Sequence, residues 1–316
     1  MRRIALFSAL LLALAGCGRG EGEPAATTSN ADATATTEEP GFPVAISAAN
    51  GEITIDQRPE RIVSLAPSAT EVLFAIGAGH QVVAVDEFSD YPADAPTTDL
   101  SGFEPNVEAV VAFEPDLVVV SDDLNDIVAA LTAVQVPVIH HPAAVTLDDT
   151  YAQIEQLGAA TGNLAEAASL VASMRSQIQE LATSVPDQGA PLTYYHELDG
   201  FYYTVTSETF IGEIYGLAGL ENIADQADGS ETLYPQLSAE YIIDANPDLI
   251  FLADATCCGE SPETVAARPG WDQITAVGAG DVVVLDEDVA SRWGPRVVDF
   301  LRFVVAAIEE RSLAGS

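Results

Sequence analysis

From residue 60 onward, short runs of β-branched and other apolar residues alternate with longer stretches whose apolar positions recur every three or four residues. Short apolar runs bounded by turn residues predict strands, and the three-to-four spacing predicts helices that cover them. The predicted strands are Arg61 to Leu65, Gln81 to Val85, Leu117 to Val120, Val138 to His140, Leu192 to Tyr195, Leu249 to Leu252 and Val282 to Leu285. Ser68 to Gly77 reads as a helix, with Ser68 as its N-cap, Glu71 returning the bond in a capping box, and Gly77 and Gly79 stopping it. Alternation of this kind predicts an α/β fold on largely parallel sheets.

The pattern also repeats. Glu108 followed by Pro115, Asp116, Leu117 and Val118 has a counterpart in Glu240 followed by Pro247, Asp248, Leu249 and Ile250, displaced by 132 positions throughout. Each copy reads as an acidic residue opening a short apolar helix, a Pro-Asp turn ending it, and a buried strand. A repeat of this length predicts two similar lobes. Between them, in the stretch from Leu147 to Leu181, the apolar residues Leu164, Ala168, Val171, Met174, Ile178 and Leu181 fall at helical steps and predict one long connecting helix. The expected organisation is an N-terminal lobe over 45–145, a connecting helical region over 146–186 and a C-terminal lobe over 190–316.

The N-terminus adds a compartment. Arg2 and Arg3 precede an apolar run from Ile4 to Leu14, too short to span a bilayer, so residues 1–17 read as a secretory leader. Leu14-Ala15-Gly16-Cys17 resembles the lipobox of bacterial lipoproteins, which implies lipidation of Cys17 and anchoring by acyl chains. Residues 18–42 are rich in Ala, Thr, Glu, Gly and Pro without apolar periodicity, as expected of a disordered tether with a reach of roughly 25 to 30 Å.

Composition then narrows the partners. The chain of 316 residues carries 49 Asp and Glu against 11 Arg and no Lys, a formal charge of -38 that becomes -40 when Arg2 and Arg3 leave with the leader. Such a surface repels phosphate backbones, which excludes nucleic acid as a main partner. It repels acidic lipid headgroups as well, so membrane attachment falls to the lipid. In an oxidising compartment Cys257 and Cys258 have only each other for a partner; a vicinal disulfide and two free thiols are both open.

Arg61-Ile62-Val63-Ser64-Leu65-Ala66-Pro67-Ser68-Ala69-Thr70-Glu71, Asp90-Tyr91-Pro92, Asn106-Val107-Glu108 and Glu114-Pro115-Asp116-Leu117-Val118 together resemble the cobalamin- and iron-siderophore-type solute-binding proteins of ABC importers, over essentially residues 45–312. The resemblance implies two Rossmann-like α/β lobes bridged by a single backbone helix (class III periplasmic-binding-protein-like), a ligand in the cleft, and a monomer serving an ABC permease with its ATPase on the extracytoplasmic face of the membrane. It implies that Glu108 and Glu240 dock on permease arginines, although each also complements a helix N-terminus. It places Phe88, Phe103, Tyr203 and Tyr234 near ligand-contact positions, with Asp288 and Arg292 on a cleft loop, and aromatic faces suit a large flat ligand.

Arg292 and Arg296 are scarce cations that either meet an anionic ligand group or pair with Asp288, Asp299 or Glu287 to stiffen their loop. A corrinoid is favoured over a ferric siderophore because the resemblance sets Phe88, Tyr203, Tyr234, Asp288 and Arg292 at or near positions that contact the corrin in similar receptors, and because a net negative protein with few Arg disfavours a highly charged ligand. Haem is a further alternative, with His196 or a cleft Tyr as iron ligand. No bare metal site is expected from His80, His140, His141 and His196, no resident cofactor is implied, and no nucleophile elbow or phosphate loop points to an enzyme.

Overall fold

The computed structural model describes residues 41–227 and 232–314. The leader with Cys17, and the 18–42 tether up to residue 40, lie outside the described residues.

Among the described residues, ten strands form three sheets. β1 (Val44–Ala48) and β2 (Gly51–Ile55) make an antiparallel hairpin. β3 (Ile62–Leu65), β4 (Val82–Val85), β5 (Leu117–Val120) and β6 (Val138–His140) form a parallel sheet in the order β4-β3-β5-β6. β7 (Thr193–Glu197), β8 (Glu221–Asn222), β9 (Leu249–Leu252) and β10 (Val282–Val284) form the second parallel sheet in the order β8-β7-β9-β10. The two orders correspond strand for strand.

The sequence repeat has a structural image. Ile62 pairs with Leu117 in the first sheet and Tyr194 with Leu249 in the second, each pair displaced by the same 132 positions. The helices ahead of β5 and β9 are Val107–Val111 and Ala239–Ala245, capped by Asn106 on the Ala109 amide and by Ser238 on the Tyr241 amide. β5 and β9 are buried at every position, which explains why they read as uninterrupted apolar runs.

Several local expectations change. The hairpin β1–β2 was hidden by its polar outer positions, although Asn50-Gly51 between alternating residues is its turn signal. Asn50 bonds the backbone of Val138 and His140, tying the hairpin to β6. β7 continues through His196 and Glu197, two fully buried polar residues whose polarity disguised them. The first helix runs over Pro67–Ala75 with Ala66 at its N-cap and no side-chain cap. Ser68 and Glu71 therefore form no capping box, because the Glu71 carboxylate is turned to two arginines of the other lobe.

The connecting region is two helices, Leu147–Thr161 and Leu164–Ser184. Gly162 breaks them with a left-handed φ of 75°, and a Cβ at Gly158 would overlap Ala167 where they cross. The long helix buries Ala167, Val171, Met174 and Ile178, whereas Leu164 at its first turn is 60% exposed. Both helices, the C-terminal helix Val297–Ala314 and elements of both lobes share one apolar core that includes Ile62, Met174, Tyr215 and Leu301. Smaller cores back the outer face of each sheet, around Val118 in the N-terminal lobe and Trp271 in the C-terminal lobe. A continuous core across the connection resists rotation of one lobe against the other, since packed interiors deform little.

Candidate functional site

In parallel sheets of this kind the loops at the carboxyl ends of the strands collect functional side chains. Phe88 follows β4, and an isolated bridge between Asp86 and Leu100 leads on to the loop that carries Phe103. The two rings meet edge to face with centroids 5.4 Å apart, yet remain 48% and 66% exposed. Large aromatic rings left this open form an uncovered apolar surface. On the other lobe Tyr203 follows β7 and is bridged to Gln236, which places it beside the segment of Tyr234; these rings are 41% and 50% exposed. Partial burial raises the Tyr234 phenol above its ordinary value, so it stays protonated. Phe201, one turn from Tyr203, is exposed as well and was not singled out from sequence, because a Phe between Gly and Tyr carries no periodic signal.

Asp288 lies in the helix Glu287–Ser291 and Arg292 is its C-cap. Arg292 is buried and faces protein acceptors on both sides. One terminal nitrogen donates to Glu71 Oε1 at 3.1 Å and Asp90 Oδ1 at 3.0 Å, and the other to the Phe88 carbonyl at 2.9 Å. That second nitrogen also pairs with Asp288 Oδ1 at 2.6 Å. The ion pair with Asp288, one of the alternatives open from sequence, is present; the pairs with Asp299 and Glu287 give way to Glu71 and Asp90, which sequence separation of about two hundred positions concealed. Arg296 takes the other side of Glu71, with Nε on Oε2 at 3.0 Å and a terminal nitrogen on Oε1 at 2.6 Å, and stacks on the Tyr91 ring at 4.3 Å. Burial lifts the Asp288 carboxyl, opposed by the Arg292 charge.

The other described arginines are engaged too. Arg58 and Arg61 donate to backbone carbonyls, Arg175 and Arg302 pair with Asp148 and Asp299, Arg268 with Glu197 and Glu260, and Arg311 with Asp248 and Asp281. Every Arg among the described residues thus has protein acceptors.

His196 is fully buried, with Nδ1 at 2.8 Å from the Tyr215 hydroxyl, and burial pushes its pKa down to about 3. It cannot serve as an iron ligand in the cleft, which corrects the reading that left haem ligation open there. His141 is likewise buried, against Gln156. Among the described residues no group of three His, Cys, Asp or Glu could hold a metal ion. Cys257 and Cys258 are disulfide-bonded in a short exposed helix after β9, and the Thr256 and Cys257 amides donate to Glu287 Oε1. Glu108 and Glu240 occupy the same second position of the two repeat-related helices and are both exposed. A cavity of about 640 Å³ on the outer edge of the C-terminal lobe contains Glu221, Asp225 and Asp244 and none of these residues.

The family model for periplasmic binding proteins matches residues 62–289. The chain belongs to this family. Among its relatives, the cobalamin-binding protein of Halobacterium salinarum is 36% identical over 273 residues, covering 82% of this chain and 72% of the relative. The uncharacterized ABC transporter substrate-binding lipoprotein YvrC of Bacillus subtilis is 33% identical, with 94% of each chain covered. The crystal structure of the periplasmic vitamin B12 binding protein BtuF of Vibrio cholerae superposes with a TM-score of 0.66 at 27% identity, covering 80% of this chain and 98% of that one. This periplasmic binding protein is therefore a substrate-binding transport protein of two α/β lobes and not an enzyme.

Proposed function

We propose that this periplasmic binding protein captures a corrinoid in the inter-lobe cleft and delivers it to an ABC permease, acting as a lipid-anchored monomer on the extracytoplasmic face of the membrane. The observation that carries the ligand class is the state of the arginines. The chain has no Lys, and each described Arg is already matched to protein acceptors, so the loops at the strand ends offer aromatic faces and carboxylates without a spare cation. A polyanionic ferric chelate needs such a cation; a neutral or weakly charged macrocycle needs contact area. The similarity to the cobalamin-binding protein of H. salinarum and the vitamin B12 binding protein of V. cholerae points the same way. Of the alternatives, a ferric siderophore would need a cation such as Arg292 for its anionic groups, and haem would need a cleft Tyr as iron ligand.

Anchoring rests on the lipobox at Cys17, and delivery on Glu108 and Glu240. Among the described residues no helix is long and apolar enough to cross a membrane. Titration calorimetry with cyanocobalamin, cobinamide, haemin and a panel of ferric siderophores tests the ligand class. Tight binding of cyanocobalamin or cobinamide supports it, and binding of a siderophore or haemin with none of either corrinoid overturns it.

A further inference from the structure

We propose that Arg292 is a cross-lobe positioning residue that sets the Phe88 aromatic face, and not a contact to the ligand. The inference rests on the cleft reading above and departs from the role that its place in the chain suggested.

The segment from Asp86 to Asp90 is held from two directions. Within its own lobe, Asp86 accepts the Phe88 amide at 3.2 Å, and the Thr70 hydroxyl joins Ser64 and Ser89 in a buried chain of 2.9 Å bonds. From the other lobe, Arg292 takes the Phe88 carbonyl and the Asp90 carboxylate. The peptide groups on both sides of the Phe88 Cα are thereby fixed by different lobes, while the ring itself stays open against Phe103. Among the described residues, the other hydrogen bonds of this segment stay within its own lobe.

The guanidinium is itself fixed. Glu71 is 2% exposed and shared by Arg292 and Arg296, and Asp288 closes the fork from below. Swinging Arg292 toward a ligand would strip a buried carboxylate of one partner and free the Phe88 carbonyl at the same time. Breaking a buried pair is far more costly than forming a new one in a wet cleft is favourable. The planar fork suits this task because it presents several donors in fixed directions, which an ammonium does not.

The test is a double-mutant cycle on the full chain with cyanocobalamin as probe, joined to amide exchange without ligand. Arg292→Met is expected to weaken binding by about tenfold when Phe88 is present and by less than about twofold in a Phe88→Ala background, because a positioning residue has nothing to position once the ring is gone. An equal loss in both backgrounds is the signature of direct ligand contact and overturns the proposal. In the unliganded chain, exchange over 86–92 should rise in Arg292→Met while β7 and β9 stay protected; unchanged exchange there also overturns it. If the variant fails to fold, Arg292→Lys, which keeps the charge and loses the fork, is carried through the same two measurements. Should the parent bind neither cyanocobalamin nor cobinamide, the corrinoid reading fails, and the exchange arm still decides the role of Arg292.

Discussion

Asp116 and Asp248 do the same work in the two lobes. Asp116 accepts the Glu60 and Arg61 amides at 2.8 and 2.9 Å, and Asp248 accepts the Thr193 amide and hydroxyl at 3.0 and 3.1 Å. Each carboxylate, one residue past a proline, thus secures the start of the neighbouring central strand. Asp248 also pairs with Arg311 of the C-terminal helix at 2.9 Å.

Asp248→Ala should therefore destabilise the protein more than Asp116→Ala. The losses expected are about 2 to 3 kcal/mol and about 1 kcal/mol, since bonds to a charged acceptor are worth more where solvent is partly excluded and less where it is not. Urea unfolding of the two variants measures this. Equal losses would show that the Arg311 pair contributes nothing.

Buried ionisable groups give the stability two opposed pH limbs. Asp254 is fully buried just past β9, neither carboxylate oxygen has a hydrogen-bond partner among the described residues, and burial followed by the charges of Glu197 and Glu260 raises its pKa to about 7. The folded state then holds a proton that the unfolded chain releases near its ordinary value, so stability falls as pH rises from about 4 to about 7. His196 and His141 act in the other sense: burial lowers them to about 3 and about 4, so their contribution is complete above the ordinary His value and is lost as pH falls through that window. Asp254→Asn should flatten the first limb, raising stability at pH 8 relative to pH 4 by on the order of 1 to 3 kcal/mol, and His196→Phe should flatten the second. Denaturant titrations at several pH values separate the two, and an unchanged slope in Asp254→Asn would refute the assignment.

The lipobox reading makes a prediction independent of the fold. Cys17→Ser should leave the protein misprocessed or free of the membrane, because an acidic surface supplies no other anchor. Fractionation of cells expressing parent and variant reads the outcome, and equal retention in membranes would discard lipidation.

What the chain reveals depends on where its partners lie along it. β5 and β9 were readable to the residue because a strand buried on both faces is a continuous apolar run. The 132-residue repeat was readable because proline and aspartate fix a turn by local chemistry. Glu71 was misread as half of a capping box, since Ser-x-x-Glu is a local pattern while its real partners, Arg292 and Arg296, stand more than two hundred positions away. The same distance hid the bonds by which Arg292 reaches Glu71, Asp90 and the Phe88 carbonyl of the other lobe. His196 and Glu197 failed as strand residues for a related reason: Tyr215, which bonds one ring nitrogen of His196, and Arg268, which bonds both oxygens of Glu197, come from elsewhere in the chain.

The two repeat-related glutamates lead to a prediction about delivery. Glu108 and Glu240 sit at the second position of helices capped by Asn106 and Ser238, exposed and, among the described residues, without a protein partner for their carboxylates. Stability explains them only weakly, because an exposed acid at a short helix N-terminus is worth a few tenths of a kcal/mol. A pair in matching places, one on each lobe, is suited to fixing the register of a two-sided partner by charge. Replacing both by Arg should leave thermal stability and cyanocobalamin affinity within about twofold of the parent, as expected for exposed surface sites. Uptake of labelled cyanocobalamin by cells relying on this protein should fall to background. Restoration by acidic substitutions in the cognate permease would identify its contact residues. If both arginines leave uptake intact, the glutamates serve only their helices; if they abolish ligand binding in the isolated protein, the residues belong to the cleft.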